Sequence, residues 1–311
     1  AAPVDGIARE IQSNCDRTIV LNEVLEDARR RIAEAQVDVL LYADIGMEPL
    51  TYFLAFSHLA PVQCVTWGHP VTTGLAEMDY FVSSALAEPA DAPAHYSERL
   101  VCLPESCAWV CYAKPVAPAS LPRREKFNIP ERVNLYFCPQ PLFKLHPDFD
   151  AMIGAILRGD KNALLLMIDN PRYLKKQLLA RWSETLADVM HRIRFAPFCT
   201  HDDYLALLGM ADVVLDTPHF SGGHSSLEAL SMGAAVVTLP GAFVRSRLTL
   251  ASYKRIDVMD CVARDDRHYV EIALQLGTDP SYRAGVRRRI VDAGGGLFDD
   301  LGTVRAMEEF F

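Results

Sequence analysis

A pair of glycines separates an apolar run from a helical pattern in the second half of the chain. The run at 213–215 is typical of a short buried strand, Gly222 and Gly223 follow it, and residues 225–232 have a helical pattern. In open parallel sheets, ligands bind at the carboxyl ends of the strands. Glycines at such a turn allow the ligand to approach the backbone closely, and the N–H groups at the start of the following helix favour a phosphate. A plain helix cap is the competing interpretation. The candidate contacts are Gly223, His224, Ser225, Ser226 and Glu228, the last for ribose hydroxyls.

Two further polar loops follow predicted strands. Lys144 lies on the loop after the first strand of the second half, where its charge would neutralise a diphosphate, although a lone lysine at a strand end is often just solvated. His69, Thr72 and Thr73 follow the strand at 62–67 and offer donors from the other half of the chain. Because ligands usually bind in clefts, three such loops from two α/β domains predict one site between the domains.

An alternation of short apolar runs with helical patterns must position these loops, and it indicates parallel sheets joined by crossover helices. The predicted strands lie at 37–42, 62–67, 80–83 and 100–103, and then at 135–137, 163–168, 193–195, 213–215 and 235–239. The prolines within 112–132 indicate an exposed connection. We therefore predict two Rossmann-like doubly wound domains, at 1–120 and 121–311. The first is predicted to be incomplete, because only a short run at 18–21 and one helix precede its strand at 37–42.

Composition excludes several classes of function. The chain of 311 residues is half apolar and carries a formal charge of −9, which disfavours nucleic-acid binding because phosphate contacts need clustered Lys and Arg. Its eight cysteines are scattered without metal-ligand spacing, which is typical of a reducing compartment. No apolar run is long enough for a membrane span and no secretory leader is evident, so a cytoplasmic location is expected.

Seven short segments, in order along nearly the whole chain, resemble the catalytic region of the O-GlcNAc transferase and SPINDLY-like family. They are Asp44-Ile-Gly-Met, Leu59-Ala-Pro-Val-Gln, Gly68-His-Pro-Val-Thr-Thr-Gly, Phe143-Lys144, Ala211-Asp-Val-Val-Leu-Asp-Thr-Pro, Gly223-His-Ser-Ser and Leu276-Gly-Thr-Asp-Pro. The resemblance is greatest to bacterial members, which usually carry tetratricopeptide repeats ahead of this region. It implies a GT-B architecture, with two Rossmann-like domains facing across a cleft and a UDP-sugar bound mainly by the second.

The resemblance also implies residue roles. Lys144 is similar to the family's diphosphate-binding lysine, and the triplet from His224 to Ser226 stands where the family contacts the phosphates. Tyr204 stands where animal members place a histidine against the uracil. Gln140 is a candidate donor contact, although animal enzymes have a different residue order there. The predicted set is completed by His201 beside the base and by His69 on the sugar or diphosphate; Lys144 and His69 are the catalytic candidates.

The resemblance implies an inverting glycosyltransferase that moves GlcNAc from UDP-GlcNAc to Ser or Thr of an acceptor protein. No metal cofactor is expected, because the three loops offer Lys144, neutral donors and Glu228 but no carboxylate pair; the acids Asp202 and Asp203 read as a helix start. Family members begin this region with a histidine-bearing strand unit that this sequence lacks. The main alternative is therefore a non-catalytic UDP-sugar-binding module, completed by an upstream repeat domain or a partner chain. A UDP-sugar epimerase is a further alternative.

Overall fold

A computed structural model describes residues 5–106, 108–118, 124–169 and 175–311. These residues form two compact units. The first contains residues up to 82 together with 93–101, and the second contains 83–92 and 102–311. This division cuts through two strands, whereas the boundary predicted from the sequence lies at residue 120. The predicted boundary concerns domains that fold independently, and it stays a prediction.

The first unit begins with two helices, α1 (Gly6–Asn14) and α2 (Leu25–Ala35). Helix α2 forms where apolar side chains recur at helical spacing, and its Ala28 is fully buried while Leu25 and Ile32 pack against the same core. The acids Glu26 and Asp27 occupy its first turn, where they complement the helix dipole. The helical pattern predicted there is confirmed.

A four-stranded sheet follows, formed by β1 (Val39–Tyr42), β2 (Val62–Thr66), β3 (Tyr80–Ser84) and β4 (Arg99–Leu103), with helix α3 (Pro49–Leu54) after β1. The strands lie in the order β1-β2-β3-β4, and the first two pairs are parallel. The run at 18–21 forms no strand. Its Val20 is exposed and the sheet ends at β1, so the run has neither a ladder partner nor a buried face.

The second unit alternates strands with helices. In chain order they are β5 (Asn134–Cys138), α4 (Pro147–Gly159), β6 (Ala163–Ile168), α5 (Lys175–Thr185), β7 (Ile193–Ala196), α6 (His201–Met210), β8 (Val213–Leu215), α7 (His224–Ser231) and β9 (Val236–Val237). Each strand had been predicted within a few residues. The strands are nearly continuous buried runs, as expected when helices cover both faces of a parallel sheet.

The five strands of the second unit lie in the order β7-β6-β5-β8-β9, and every neighbouring pair is parallel. The chain therefore runs outward from β5 to β7 and then returns to place β8 on the other side of β5. This reversal creates a crevice at the carboxyl ends of β5 and β8, which is where doubly wound sheets bind ligands. The fold positions the loops that follow β5 and β8 at that crevice.

Four helices complete the second unit: α8 (Leu248–Ile256), α9 (Asp266–Thr278), α10 (Pro280–Ala293) and α11 (Leu301–Phe310). Helix α9 packs on α4 and contributes the buried Tyr269, whose hydroxyl donates to the backbone oxygen of Asp216 at 2.8 Å. Across the described ranges, no helix is both long and apolar enough to span a bilayer.

Candidate functional site

A cavity of about 550 Å³ opens at the carboxyl ends of the second unit's strands. Its walls come from the loops after β5 and β7, from the last residue of β6 and from the start of α7. The predicted site residues that line it are Gln140, Lys144, His201, Tyr204, Gly223, His224, Ser225 and Glu228. Residues separated by up to 88 positions along the chain thus share one wall, because parallel strands deliver their following loops to the same edge.

Lys144 ends a short 3₁₀ helix (Leu142–Lys144) on the loop after β5. Its ammonium donates to Oε1 of Gln140 at 3.1 Å and to the backbone oxygen of Ser221 at 3.0 Å, and it lies 4.3 Å from the ring centre of Phe220. Burial lowers the pKa of Lys144, while the nearby Asp216 charge opposes that effect. Within the part of the chain that the structure describes, the cation is held by neutral oxygens and no carboxylate bonds to it directly, so a bound phosphate would supply its counter-charge.

Gln140 connects the loop after β5 to helix α7. It is only 3% exposed, and its Nε2 donates to Oγ of Ser225 at 2.8 Å while its Oε1 accepts from Lys144. Both ends of the amide are therefore engaged by predicted site residues. The observed position of Gln140 beside Lys144 is compatible with donor contact and also gives it a positioning role.

Helix α7 begins next to this lysine, after two glycines. A Cβ on Gly222 would lie 2.4 Å from Oγ of Ser226 and 2.5 Å from Nε2 of Gln140, so no other residue fits without displacing them. As expected for a helix start, the N–H groups of His224 and Ser225 have no partner among the described residues. This end of the helix can therefore accept an anion.

Ser226 differs from the prediction that treated it like its two neighbours. Its N–H donates to the backbone oxygen of Gly223 at 3.1 Å, and its hydroxyl lies 2.8 Å from that of Thr249. The side chain is buried and does not line the cavity. The helical turn explains the difference, because consecutive residues on a helix point in different directions and only one of the two serines can face the ligand side.

Asp216, which we had not placed in the site, organises the loop that leads into α7. Its Oδ1 accepts from the N–H of Gly222 at 2.7 Å, and its Oδ2 accepts from the hydroxyls of Thr238 at 2.8 Å and Thr249 at 2.7 Å. Burial raises the pKa of this carboxyl, and the bonds it accepts oppose that rise. The sequence offered one signal for this role of Asp216. It is an acid that directly follows a buried strand and lies six residues before the glycine pair.

Glu228 faces the cavity from one turn inside α7. Its Oε1 lies 2.6 Å from Nε2 of His201 and 3.7 Å from Nε2 of His224, so the start of α6 and the start of α7 share one carboxylate. The ring of Tyr112 packs edge-on against His224, with centroids 4.4 Å apart. This cluster is a ready acceptor for vicinal hydroxyl groups of a ligand.

Aromatic rings form the apolar part of the cavity. Tyr204 lines it from α6, stacks at 6.4 Å on the ring of His201 with 19° between the planes, and packs edge-on against the buried Phe137. Burial raises the pKa of the Tyr204 hydroxyl, which therefore stays protonated. Phe198, on the loop after β7, also lines the cavity although it is 78% exposed. Sequence reasoning missed Phe198, since nothing distinguishes it from an ordinary loop residue.

His69, Thr72 and Thr73 belong to the first unit and follow β2. The hydroxyl of Thr72 donates to Oε2 of the buried Glu98 at 2.7 Å, and both the N–H and the hydroxyl of Thr73 donate to its Oε1. Burial raises the pKa of Glu98, but these hydrogen bonds outweigh burial and lower it overall. The two threonines thus have a structural role in their own loop, and their predicted contact with a donor stays a prediction.

Comparison with known proteins gives one family. The sequence model described as "Glycosyl transferase family 41" matches residues 113–299. The match covers the loops after β5, β7 and β8 that form the cavity.

Individual relatives agree with that match. The probable UDP-N-acetylglucosamine–peptide N-acetylglucosaminyltransferase SPINDLY of Solanum lycopersicum is 30% identical over 237 residues, which are 73% of this chain and 24% of the relative. This chain therefore spans about a quarter of the length of the curated relatives it matches. The resemblance to the O-GlcNAc transferase and SPINDLY-like family is confirmed.

Solved structures extend the comparison to the fold. A Thermobaculum terrenum O-GlcNAc transferase mutant has a TM-score of 0.85 and 26% identity, and the match covers 98% of this chain and 58% of that one. Anabaena Alr3699/HepE, solved with UDP and glucose, has a TM-score of 0.66 and 11% identity over 92% of this chain and 80% of its own, which shows the fold alone. The predicted α/β fold of the GT-B class is confirmed.

Proposed function

Since the chain belongs to glycosyl transferase family 41, we propose that it carries the donor-binding machinery of an inverting glycosyltransferase that moves GlcNAc from UDP-GlcNAc to Ser or Thr of an acceptor protein. The observation that carries this proposal is the convergence of four chemical features on one cavity. These are the Lys144 ammonium, the free N–H groups at the start of α7, the Glu228 carboxylate and the Tyr204 ring.

The four features match the parts of a nucleoside diphosphate. The diphosphate lies between Lys144 and the start of α7, where a cation and oriented N–H groups meet. The ribose hydroxyls donate to Glu228, and the uracil stacks on Tyr204. Pair contacts connect these features: Gln140 bonds to both Lys144 and Ser225. His201 in turn contacts both Glu228 and the ring of Tyr204.

Catalysis follows from the charge that develops on the departing UDP. Sugar transfer joins the acceptor hydroxyl oxygen to the anomeric carbon while the bond from that carbon to the diphosphate breaks, and the hydroxyl proton passes to solvent. The β-phosphate oxygen therefore gains negative charge in the transition state. Lys144 and the N–H groups of His224 and Ser225 are already oriented there, and fixed donors of this kind stabilise a transition state without reorganising. Gln140 holds Lys144 and Ser225 in that arrangement. His69 stays the second catalytic candidate, acting on the sugar or diphosphate.

We propose that donor binding requires no divalent metal ion. Of the described residues that line the cavity, only Glu228 carries a carboxylate, and it is assigned to the ribose. Hard cations such as Mg²⁺ or Mn²⁺ want several carboxylate oxygens, whereas this site offers a lysine and helix N–H groups to the phosphates.

The alternative proposal is a UDP-sugar-binding module that needs an upstream repeat domain or a partner chain for transfer. It is favoured by one observation: the second unit alone supplies every residue of the cavity. The deciding experiment measures UDP binding by calorimetry and transfer from radiolabelled UDP-GlcNAc to a pool of acceptor proteins. Transfer supports the enzyme, UDP binding without transfer supports the module, and absence of UDP binding contradicts both. Epimerisation would be recognised by a second UDP-sugar among the products.

A further inference from the structure

Three side chains that can bind a metal meet on the surface of the second unit, outside the cavity. Nδ1 of His146, Oδ2 of Asp148 and Nε2 of His219 all lie within 4.8 Å of one another. The carboxylate oxygen is 2.8 Å from the His219 nitrogen and 3.3 Å from the His146 nitrogen. Within the described ranges, no other set of three His, Cys, Asp or Glu residues meets this criterion.

Two well-defined elements position the three ligand atoms. His146 is the N-cap of α4, and its Nδ1 accepts from the N–H of Asp148, in the first turn of that helix, at 3.2 Å. A metal ion on Nδ1 would replace this cap hydrogen bond. His219 lies in the loop between β8 and α7 with a left-handed φ of 68°, and the turn around it is held by a 2.8 Å hydrogen bond from the Thr217 hydroxyl to the Phe220 backbone oxygen. The two imidazole rings are already packed against each other, with centroids 4.5 Å apart.

The chemistry of the three atoms selects a class of cation. Bonds of about 2.0–2.2 Å to a tetrahedral ion place neighbouring ligand atoms about 3.3–3.6 Å apart. The carboxylate oxygen already lies 3.3 Å from the His146 nitrogen and 2.8 Å from the His219 nitrogen, and the three ligand atoms all lie within 4.8 Å of one another. Two imidazole nitrogens and one carboxylate suit Zn²⁺, Ni²⁺ or Cu²⁺, whereas Mg²⁺ and Ca²⁺ prefer all-oxygen sites.

We propose that His146, Asp148 and His219 form a binding site for a divalent transition-metal ion of the zinc type. All three side chains are about half exposed, so water or an outside ligand can complete the coordination. None of the three lines the donor cavity, so this ion is separate from any metal on the diphosphate.

The site joins the same two loops that hold Lys144. His146 lies two residues after Lys144, and His219 lies two residues before Ser221, whose backbone oxygen accepts from the Lys144 ammonium. A bound ion braces this pair of loops from outside the cavity. Because the ion binds the folded arrangement, it raises the stability of the second unit by RT ln(1 + c/Kd), which increases with the free ion concentration c.

The first test is calorimetric titration of tag-free, EDTA-stripped protein with ZnCl₂, with MgCl₂ as the comparison ion. We expect one Zn²⁺ per chain and no response to Mg²⁺. His219→Ala and His146→Ala should each weaken Zn²⁺ binding at least about tenfold, since even outer-shell changes cost that much at metal sites. His191→Ala removes another exposed histidine and should bind Zn²⁺ like the wild type. Unchanged binding in His219→Ala, or no Zn²⁺ binding by the wild type, overturns the proposal.

A second measurement separates this site from the cavity histidines. His224→Ala should keep the Zn²⁺ affinity, because its imidazole belongs to the donor cavity. Zn²⁺ should raise the melting temperature of the wild type and of His224→Ala, and leave that of His219→Ala unchanged. A loss of binding in His224→Ala with full binding in His219→Ala would assign the ion to the cavity and contradict the proposed site.

Discussion

The carboxylate of Glu228 lies 2.6 Å from Nε2 of His201, and both residues line the cavity. The imidazole is 61% exposed at its side chain whereas the carboxylate is only 10% exposed, so Glu228 is the buried partner of the pair. A carboxylate held in this way has a second oxygen available to a ligand's hydroxyl groups.

The first prediction concerns the ribose. Glu228→Gln should weaken UDP binding by about 1.5–3 kcal/mol, the usual contribution of hydrogen bonds to a charged group. Calorimetry with 2′,3′-dideoxy-UDP provides the control, because that ligand lacks the hydroxyls and should bind the wild type and the variant alike. An equal loss for both ligands would remove Glu228 from the ribose.

The second prediction concerns the base. Tyr204→Phe should bind UDP like the wild type, because stacking needs the ring and not the hydroxyl, whereas Tyr204→Ala should lose about 1–3 kcal/mol. Since Tyr204 also packs against Phe137, melting temperatures of both variants must be measured with the UDP titrations. Wild-type affinity in a folded Tyr204→Ala protein would refute the stacking.

The third prediction concerns the loop that Asp216 holds. Asp216→Ala leaves the Gly222 N–H and the Thr238 and Thr249 hydroxyls without their acceptor, and should lower the free energy of unfolding by about 2–4 kcal/mol. Asp216→Asn should lower the free energy of unfolding by less than Asp216→Ala. The amide oxygen still accepts a hydrogen bond, and the threonine hydroxyls can rotate to accept from the amide NH₂ group. Denaturant unfolding measures both variants. Equal losses would show that the charge, and not the acceptor geometry, holds the loop.

The fourth prediction concerns metal dependence of donor binding. UDP affinity should be the same in EDTA and in excess Mn²⁺, because Lys144 and the start of α7 supply the positive potential. Asp202 and Asp203 lie in the first turn of α6, and Asp203 pairs with Lys126 at 2.6 Å. An affinity that collapses on chelation and returns with Mn²⁺ would instead assign these two acids to the site.

Much of the second unit was predictable because its strands carry their own signal. The buried run Ala163–Ile168 is apolar throughout, and a parallel strand covered on both faces requires that composition. Once the strands are known, the position of the loops at one sheet edge follows from topology. This is why Lys144 and Glu228 were placed together from the strand pattern, whereas Tyr204 was added by the family resemblance; all three line the cavity.

The orientation of individual side chains was not predictable in the same way. Ser225 and Ser226 are neighbours of the same type, yet Ser225 lines the cavity and Ser226 is buried against Thr249. The hydroxyls of Thr72 and Thr73 donate hydrogen bonds to Glu98, which lies 25 or more positions further along the chain. Such pairings depend on tertiary contacts between distant segments, which composition and local spacing do not encode.

The most direct measurement is calorimetric titration of UDP into the wild type, Lys144→Ala and Lys161→Ala, with uridine as the phosphate-free ligand. Lys161 is exposed and does not line the cavity, so its variant controls for the loss of one positive charge. The account predicts that Lys144→Ala weakens UDP binding about 10- to 150-fold, equal to about 1.5–3 kcal/mol, while uridine binding and the Lys161→Ala variant stay at wild-type values. Unchanged UDP affinity in a folded Lys144→Ala protein would contradict the proposed diphosphate site.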